Sequence, residues 1–195
     1  MARNVEFNEE EAIQKAMEVF WKKGYSGASL RDLTDAMKIN SSSLYNTIGD
    51  KHELFVKCIK NYTETRMKKA EMRAMSEKSP LTSLINFIND AVTAITNGEN
   101  GCLAIKTAFE VAANDKSIQE ILKADHDFTH NLLRSLIDKA RELGELAEDD
   151  DSEMLTDYLI SNYTGWYELF ILHQDPVRIR KMGQYLINQL TESLI

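Results

Sequence analysis

Apolar residues recur at intervals of three and four along almost the whole of this chain, and alternating β-branched runs are nearly missing. That spacing gathers apolar side chains into one stripe of a helix but scatters them over both faces of a strand, so it dictates an all-α fold. Breakers are correspondingly scarce, with two prolines and eight glycines in 195 residues. At 43% hydrophobic residues the chain can build a substantial core. Cys58 and Cys102 lie far apart, with neither a disulfide framework nor a zinc-knuckle spacing. No apolar run reaches the length of a membrane span and the amino terminus lacks the apolar core of a signal peptide, so a reducing, cytoplasmic setting is expected.

One short stretch, Ser29 to Lys51, departs from the rest in being weakly hydrophobic and rich in hydroxyls. Ser29 with Asp32 forms a capping box for a helix from Leu30 to Met37, whose Leu30, Leu33 and Met37 share a face that needs a partner. Lys38 and Ile39 form a turn. Asn40 then caps a second short helix that holds Ser41, Ser42, Ser43, Leu44, Tyr45 and Asn46, with Leu44 and Ile48 pointing inward. Its outer face is small and polar, which suits a helix that enters the major groove. On that reading Tyr45 contacts phosphate, Ser41, Ser42 and Asn46 read bases, and Arg31 and Lys38 reach the backbone.

A net charge of −8 argues against a nucleic-acid partner until its distribution is considered. Residues 1–60 hold 9 basic against 9 acidic side chains, whereas the remaining 135 hold 14 against 22. Acidity belongs to the body, and residues 21–60 are locally positive at 7 against 4.

Around this stretch the spacing predicts further helices. Asn8 caps a first helix with Ala12, Ile13, Ala16, Met17, Val19 and Phe20 on its apolar face, ending at Gly24. Asp50 with Glu53 opens a fourth that buries Leu54, Phe55, Cys58, Ile59 and Tyr62. The body follows, with a helix after Ser79 and Pro80, the NGENG loop, and GCLAIKTAFEVAAN, apolar on all sides and therefore expected deep in the body. A long helix opens at Ser117, and the acidic EDDD loop precedes two more. Residues 153–172 carry too much apolar surface for one buried side, and residues 176–194 contain Gly183, which leaves room for a close neighbour. These two segments are expected to form the four-helix interface of a homodimer whose two reading heads meet successive half-sites of a palindromic double-stranded operator.

The segments GYSGASLRDLTDAM and INSSSLYNTIGDKHELF, in that order and spacing, resemble the amino-terminal domain of TetR-family transcriptional regulators. The resemblance implies that Ser29 faces a phosphate, that SLY (Ser43, Leu44, Tyr45) belongs to the reading helix, and that Lys51 contacts phosphate. Ser42 and Ile48 depart from the family's usual glycine and aromatic. For the remaining two thirds it implies a helical body that dimerises and usually binds a small molecule. The resulting division is a helix-turn-helix domain over 1–50 and an effector-binding and dimerisation domain over 51–195.

Phe87, Cys102, Phe109, His126, Phe128, His130, Tyr163, Trp166 and Tyr167 are the candidates for lining an effector pocket, although periodicity alone does not separate a cavity wall from core packing. His126 and His130 sit four apart, the geometry of a helical metal pair flanked by Asp125 and Asp127, but no third and fourth ligand follows by spacing. A helical metal-binding protein or enzyme built on that pair is the alternative. The preferred reading is a non-enzymatic, DNA-binding repressor without cofactor or metal, released by a small apolar or aromatic effector and with no part in a membrane.

Overall fold

The computed structural model describes residues 8–97, 101–147 and 151–192, and among these every regular element is helical. The NGENG and EDDD loops fall largely, at 98–100 and 148–150, outside the described residues, as does the end of the expected interface helix at 193–194. The described residues form two compact units, one of residues up to 64 with 103–123, the other of 65–102 with 124 onward. Two helices, Lys51–Ser76 (α4) and Lys116–Glu142 (α7), contribute residues to both units.

In the first unit Asn8 accepts hydrogen bonds from the amides of Glu10 and Glu11 at 3.0 and 3.2 Å and starts α1, Glu9–Gly27. Its regular part stops at Gly24, as expected, and one further turn follows the kink. Next come α2, Leu30–Met37, and α3, Ser41–Thr47. Phe20, Leu33, Met37, Leu44, Ile48, Leu54, Phe55, Cys58 and Ile59 are buried together as one core. The expected stripe on α2 shifts by one position. Leu30 is exposed, and Thr34 is buried instead, with its hydroxyl donating to the carbonyls of Leu30 and Arg31 at 3.0 and 3.1 Å.

The main departure from the sequence reading concerns residues 103–112. Instead of a helix deep in the body, Leu103–Thr107 (α6) and a π-helical turn, Ala108–Ala112, belong to the first unit. Leu103 and Val111, with Ile118 from α7, complete the core that α1 to α4 begin. Phe109 points outward at 78% exposure. Small residues all round do not specify which core a helix joins, and here only one side is covered.

The second unit is a helical body of α5, Pro80–Asn97, the later part of α7, α8, Ser152–His173, and α9, Pro176–Glu192. Its core contains Leu84, Ile88, Ile95, Leu133, Ile137, Leu159, Trp166, Ile179 and Leu186. Gly183 permits the close approach expected of it, because a Cβ there would lie 2.5 Å from the Val92 Cγ2 of α5.

Candidate nucleic-acid interface

The reading head is held by local caps. Ser29 Oγ accepts from the Asp32 amide at 3.1 Å while the Ser29 amide donates to Asp32 Oδ2 at 3.0 Å, closing the capping box. Lys23 lies 2.6 Å from the same carboxylate and, with the Ser29 bonds, holds it well below the usual carboxylate range. The turn passes through Lys38 in the left-handed region at φ 56°, and Asn40 Oδ1 accepts from the Ser43 amide at 2.7 Å. α4 opens on a second box, with the Asp50 amide donating to Glu53 Oε2 at 2.8 Å and the Glu53 amide to Asp50 Oδ1 at 2.9 Å.

With Leu44 wholly buried, α3 turns Ser41, Ser42, Tyr45 and Asn46 to solvent, while Ser43 is half-buried beside its cap. Arg31 is almost fully exposed, 3.6 Å from Asp35. Lys38 is exposed on the turn. Lys51 stands 4.7 Å above the Tyr25 ring, a cation–π contact that sets it at the edge of the head. The nine candidates from Ser29 to Lys51 thus lie on or around one helix-turn-helix. Ser29 also spends its hydroxyl on the cap, where it donates to Asp32 at 2.8 Å.

The exit from α1 depends on residues far along the chain. Gly24 adopts φ 73° and ψ 171°, and the Glu110 carboxylate closes over it, accepting from the amides of Tyr25 at 3.0 Å and Ser26 at 2.8 Å. Burial alone would raise the Glu110 carboxyl, but the two amides, the Ser26 hydroxyl and the Lys51 charge together outweigh it and hold it below its ordinary value. Lys106 Nζ donates to the Trp21 carbonyl at 2.9 Å. His52 Nε2 lies 2.6 Å from Asp115, the cap of α7. The Ser117 hydroxyl, the Ile118 amide and His52 together overcome partial burial and hold Asp115 down at about 2.

Comparison with known proteins places this architecture. Residues 12–58 match the family described as bacterial regulatory proteins, tetR family, and residues 80–186, more than half of the chain, match the Tetracyclin repressor-like, C-terminal domain. The chain belongs to the TetR family. The HTH-type transcriptional regulator YezE of Bacillus subtilis is 32% identical over 167 residues, 82% of this chain and 84% of its own. The HTH-type transcriptional repressor ComR of Escherichia coli is 26% identical over 78% of this chain and 74% of its own. The TetR-family regulator CifR, solved with a 26-base-pair operator DNA, superposes with a TM-score of 0.82 at 26% identity, covering 95% of this chain and 98% of that one.

In the TetR-family body, eight of the nine effector candidates fall in the second unit; Phe109 falls in the first. Cys102 and Tyr163 are hydrogen-bonded to each other. Burial, and then the Cys102 thiol, push the Tyr163 and Tyr167 hydroxyls above the ordinary phenol range. Trp166 is buried with its Nε1 unpaired among the described residues. Phe87 and Phe128 are half-buried. Arg66 holds Asp125 at 2.7 Å and donates to Thr129 at 2.8 Å. Burial raises the Asp125 carboxyl despite the arginine. His126 and His130 stack at 6.2 Å, and His130 Nε2 lies 3.4 Å from Asp157 and 3.6 Å from Glu153. Among the described residues no group of three or more His, Cys, Asp or Glu is placed to hold a metal ion.

Residues with no local signal are the ones sequence reasoning missed. Glu110 acts 84 residues from Ser26, and Asp115 acts 63 from His52.

Proposed function

We propose that this chain is a repressor that binds a palindromic operator as a homodimer and releases it when a small apolar or aromatic molecule occupies the body. The observation that carries this reading is α3, which presents Ser41, Ser42, Tyr45 and Asn46 outward on a head whose core Leu44 locks. Arg31, Lys38, Lys51 and Tyr45 take phosphates, and these contacts set register rather than sequence. The dimer uses α8 and α9, where Met154, Tyr158, Ile171, Leu172, Val177 and Tyr185 are exposed apolar groups at 48–67% of their full surface. A cleft of about 550 Å³ between these helices, lined by Trp166, Val177, Met182 and Tyr185, belongs to the same face. Cys102, Tyr163, Tyr167, Phe87 and Phe128 supply the effector pocket, and release follows from an effector that prefers a conformation in which the heads miss their half-site spacing.

The protein acts as a regulator in the cytoplasm rather than as an enzyme. The family supports this, and no described helix is long and apolar enough to cross a membrane. The test is a shift assay with duplex DNA flanking the protein's own gene. Three cations per head, six per dimer, give a slope of log affinity against log salt of about −5, so affinity falls roughly a thousandfold between 50 and 200 mM salt. A duplex bound no better than scrambled DNA at low salt refutes the reading.

A further inference from the structure

The outward face of α3 carries no cation. Its exposed side chains are Ser41, Ser42, Tyr45, Asn46 and Thr47, and of these Ser42 and Asn46 lie on the side turned away from Leu44, with Tyr45 beside them. Guanine is recognised in the major groove chiefly by arginine or lysine, which donate to O6 and N7, and α3 offers neither. A serine hydroxyl is both donor and acceptor and takes either base, so Ser41 and Ser42 discriminate weakly. Only a side-chain amide on this helix can donate to adenine N7 and accept from its N6 amino group at once.

Two asparagines border α3, and the structure separates them. Asn40 is spent on the helix start, its Oδ1 accepting from the Ser43 amide at 2.7 Å. Asn46 is exposed one turn beyond Ser42, with no cap or ion pair claiming it among the described residues. The nearby cations stand off the helix: Arg31 on α2 beside Asp35, Lys38 on the turn, and Lys51 over Tyr25. Their positions around the head suit phosphates on either side of the groove.

We infer that Asn46 is the specificity-determining residue of α3, pairing with one adenine in each half-site, so that the base pair beneath it is A·T. This rests on the operator-binding reading, and the experiment separates the two. The full-length protein and its Asn46→Ala and Asn46→Asp variants are each used to select duplexes from a random library. Bound sites are then remade with 7-deazaadenine at the enriched adenine.

Wild type is expected to enrich one adenine per half-site, preferred over guanine by roughly 5- to 150-fold. 7-Deazaadenine at that position weakens wild type by a comparable factor and leaves Asn46→Ala unchanged. Asn46→Asp, which can only accept, shifts the preference at the same position toward cytosine, a gain that misfolding cannot imitate. The inference is overturned, with operator binding intact, if Asn46→Ala weakens every sequence equally or abolishes a preference for a G·C pair. Enrichment of no sequence by wild type removes the operator reading along with it.

Discussion

Replacing Gly24 with alanine tests the joint between α1 and α2. At φ 73° and ψ 171° the backbone lies in a region that is essentially glycine's alone, and forcing alanine into it costs about 1–3 kcal/mol. The new Cβ would also stand 2.7 Å from Glu110 Oε2 and 3.1 Å from Oε1, so the carboxylate must swing away. It then loses its bonds to the Tyr25 and Ser26 amides. Bonds to a charged acceptor are strong in principle, but this carboxylate is largely in water and the pair contributes only about 1 kcal/mol. Gly24→Ala is therefore expected to cost about 2–4 kcal/mol and Glu110→Ala about 1. Because the first change already evicts the carboxylate, the double variant should be scarcely worse than Gly24→Ala, a coupling of about 1 kcal/mol. Urea unfolding of the four proteins measures the cycle. Amide exchange at Tyr25 and Ser26, accelerated in both single variants, localises it. The Glu110 contribution is greatest above the ordinary carboxylate range and fades as pH falls through its depressed folded value. Strict additivity, or unchanged exchange at those two amides in Glu110→Ala, would refute the reasoning.

Three further outcomes follow from the same geometry. Tyr45→Phe should leave stability unchanged, since the ring is half exposed, and weaken binding about fivefold per half-site for cognate and scrambled DNA alike; a loss confined to cognate DNA makes Tyr45 a base reader. Asp115→Asn keeps a competent cap and removes the charge facing His52, so it should lower the urea midpoint at pH 7. Because the folded value of Asp115 is depressed to about 2, the deficit is full above pH 4 and shrinks toward pH 2, and a constant deficit across that range contradicts the assignment. Ile171→Glu places a charge on the exposed face of α8 and should yield folded monomers by sedimentation, whereas a dimer of unaltered affinity rules out this face.

The legible parts of the molecule were those specified within a few residues. Asn8, Ser29 with Asp32, Asn40, and Asp50 with Glu53 all act at a separation of two or three positions, and each caps the helix its spacing implies. Leu44 and Ile48 were legible because a short helix has few apolar positions to bury. Residues 103–112 were not, because apolar character reports that a helix is covered without saying by what. Glu110 carries no mark of its role; an acid on a helix is ordinarily solvated, and only folding brings it to Gly24. The body candidates show the same limit. Spacing does not reveal that Cys102 meets Tyr163 or that the Trp166 Nε1 is buried without a partner among the described residues.

The first unit draws Leu103, Val111, Ile118 and Glu110 from the middle of the chain. A DNA-reading domain of this kind is not a cassette. Fusing residues 8–55 of a relative onto this body, in order to redirect it to another promoter, would put foreign side chains in place of Phe20 and Phe55 in the core that native Leu103 and Val111 complete, and leave Glu110 facing a turn it was not shaped for. Grafting a new operator preference is expected to succeed either with the handful of outward positions on α3 or with residues 103–123 carried along, and to produce poorly folded hybrids at any boundary in between.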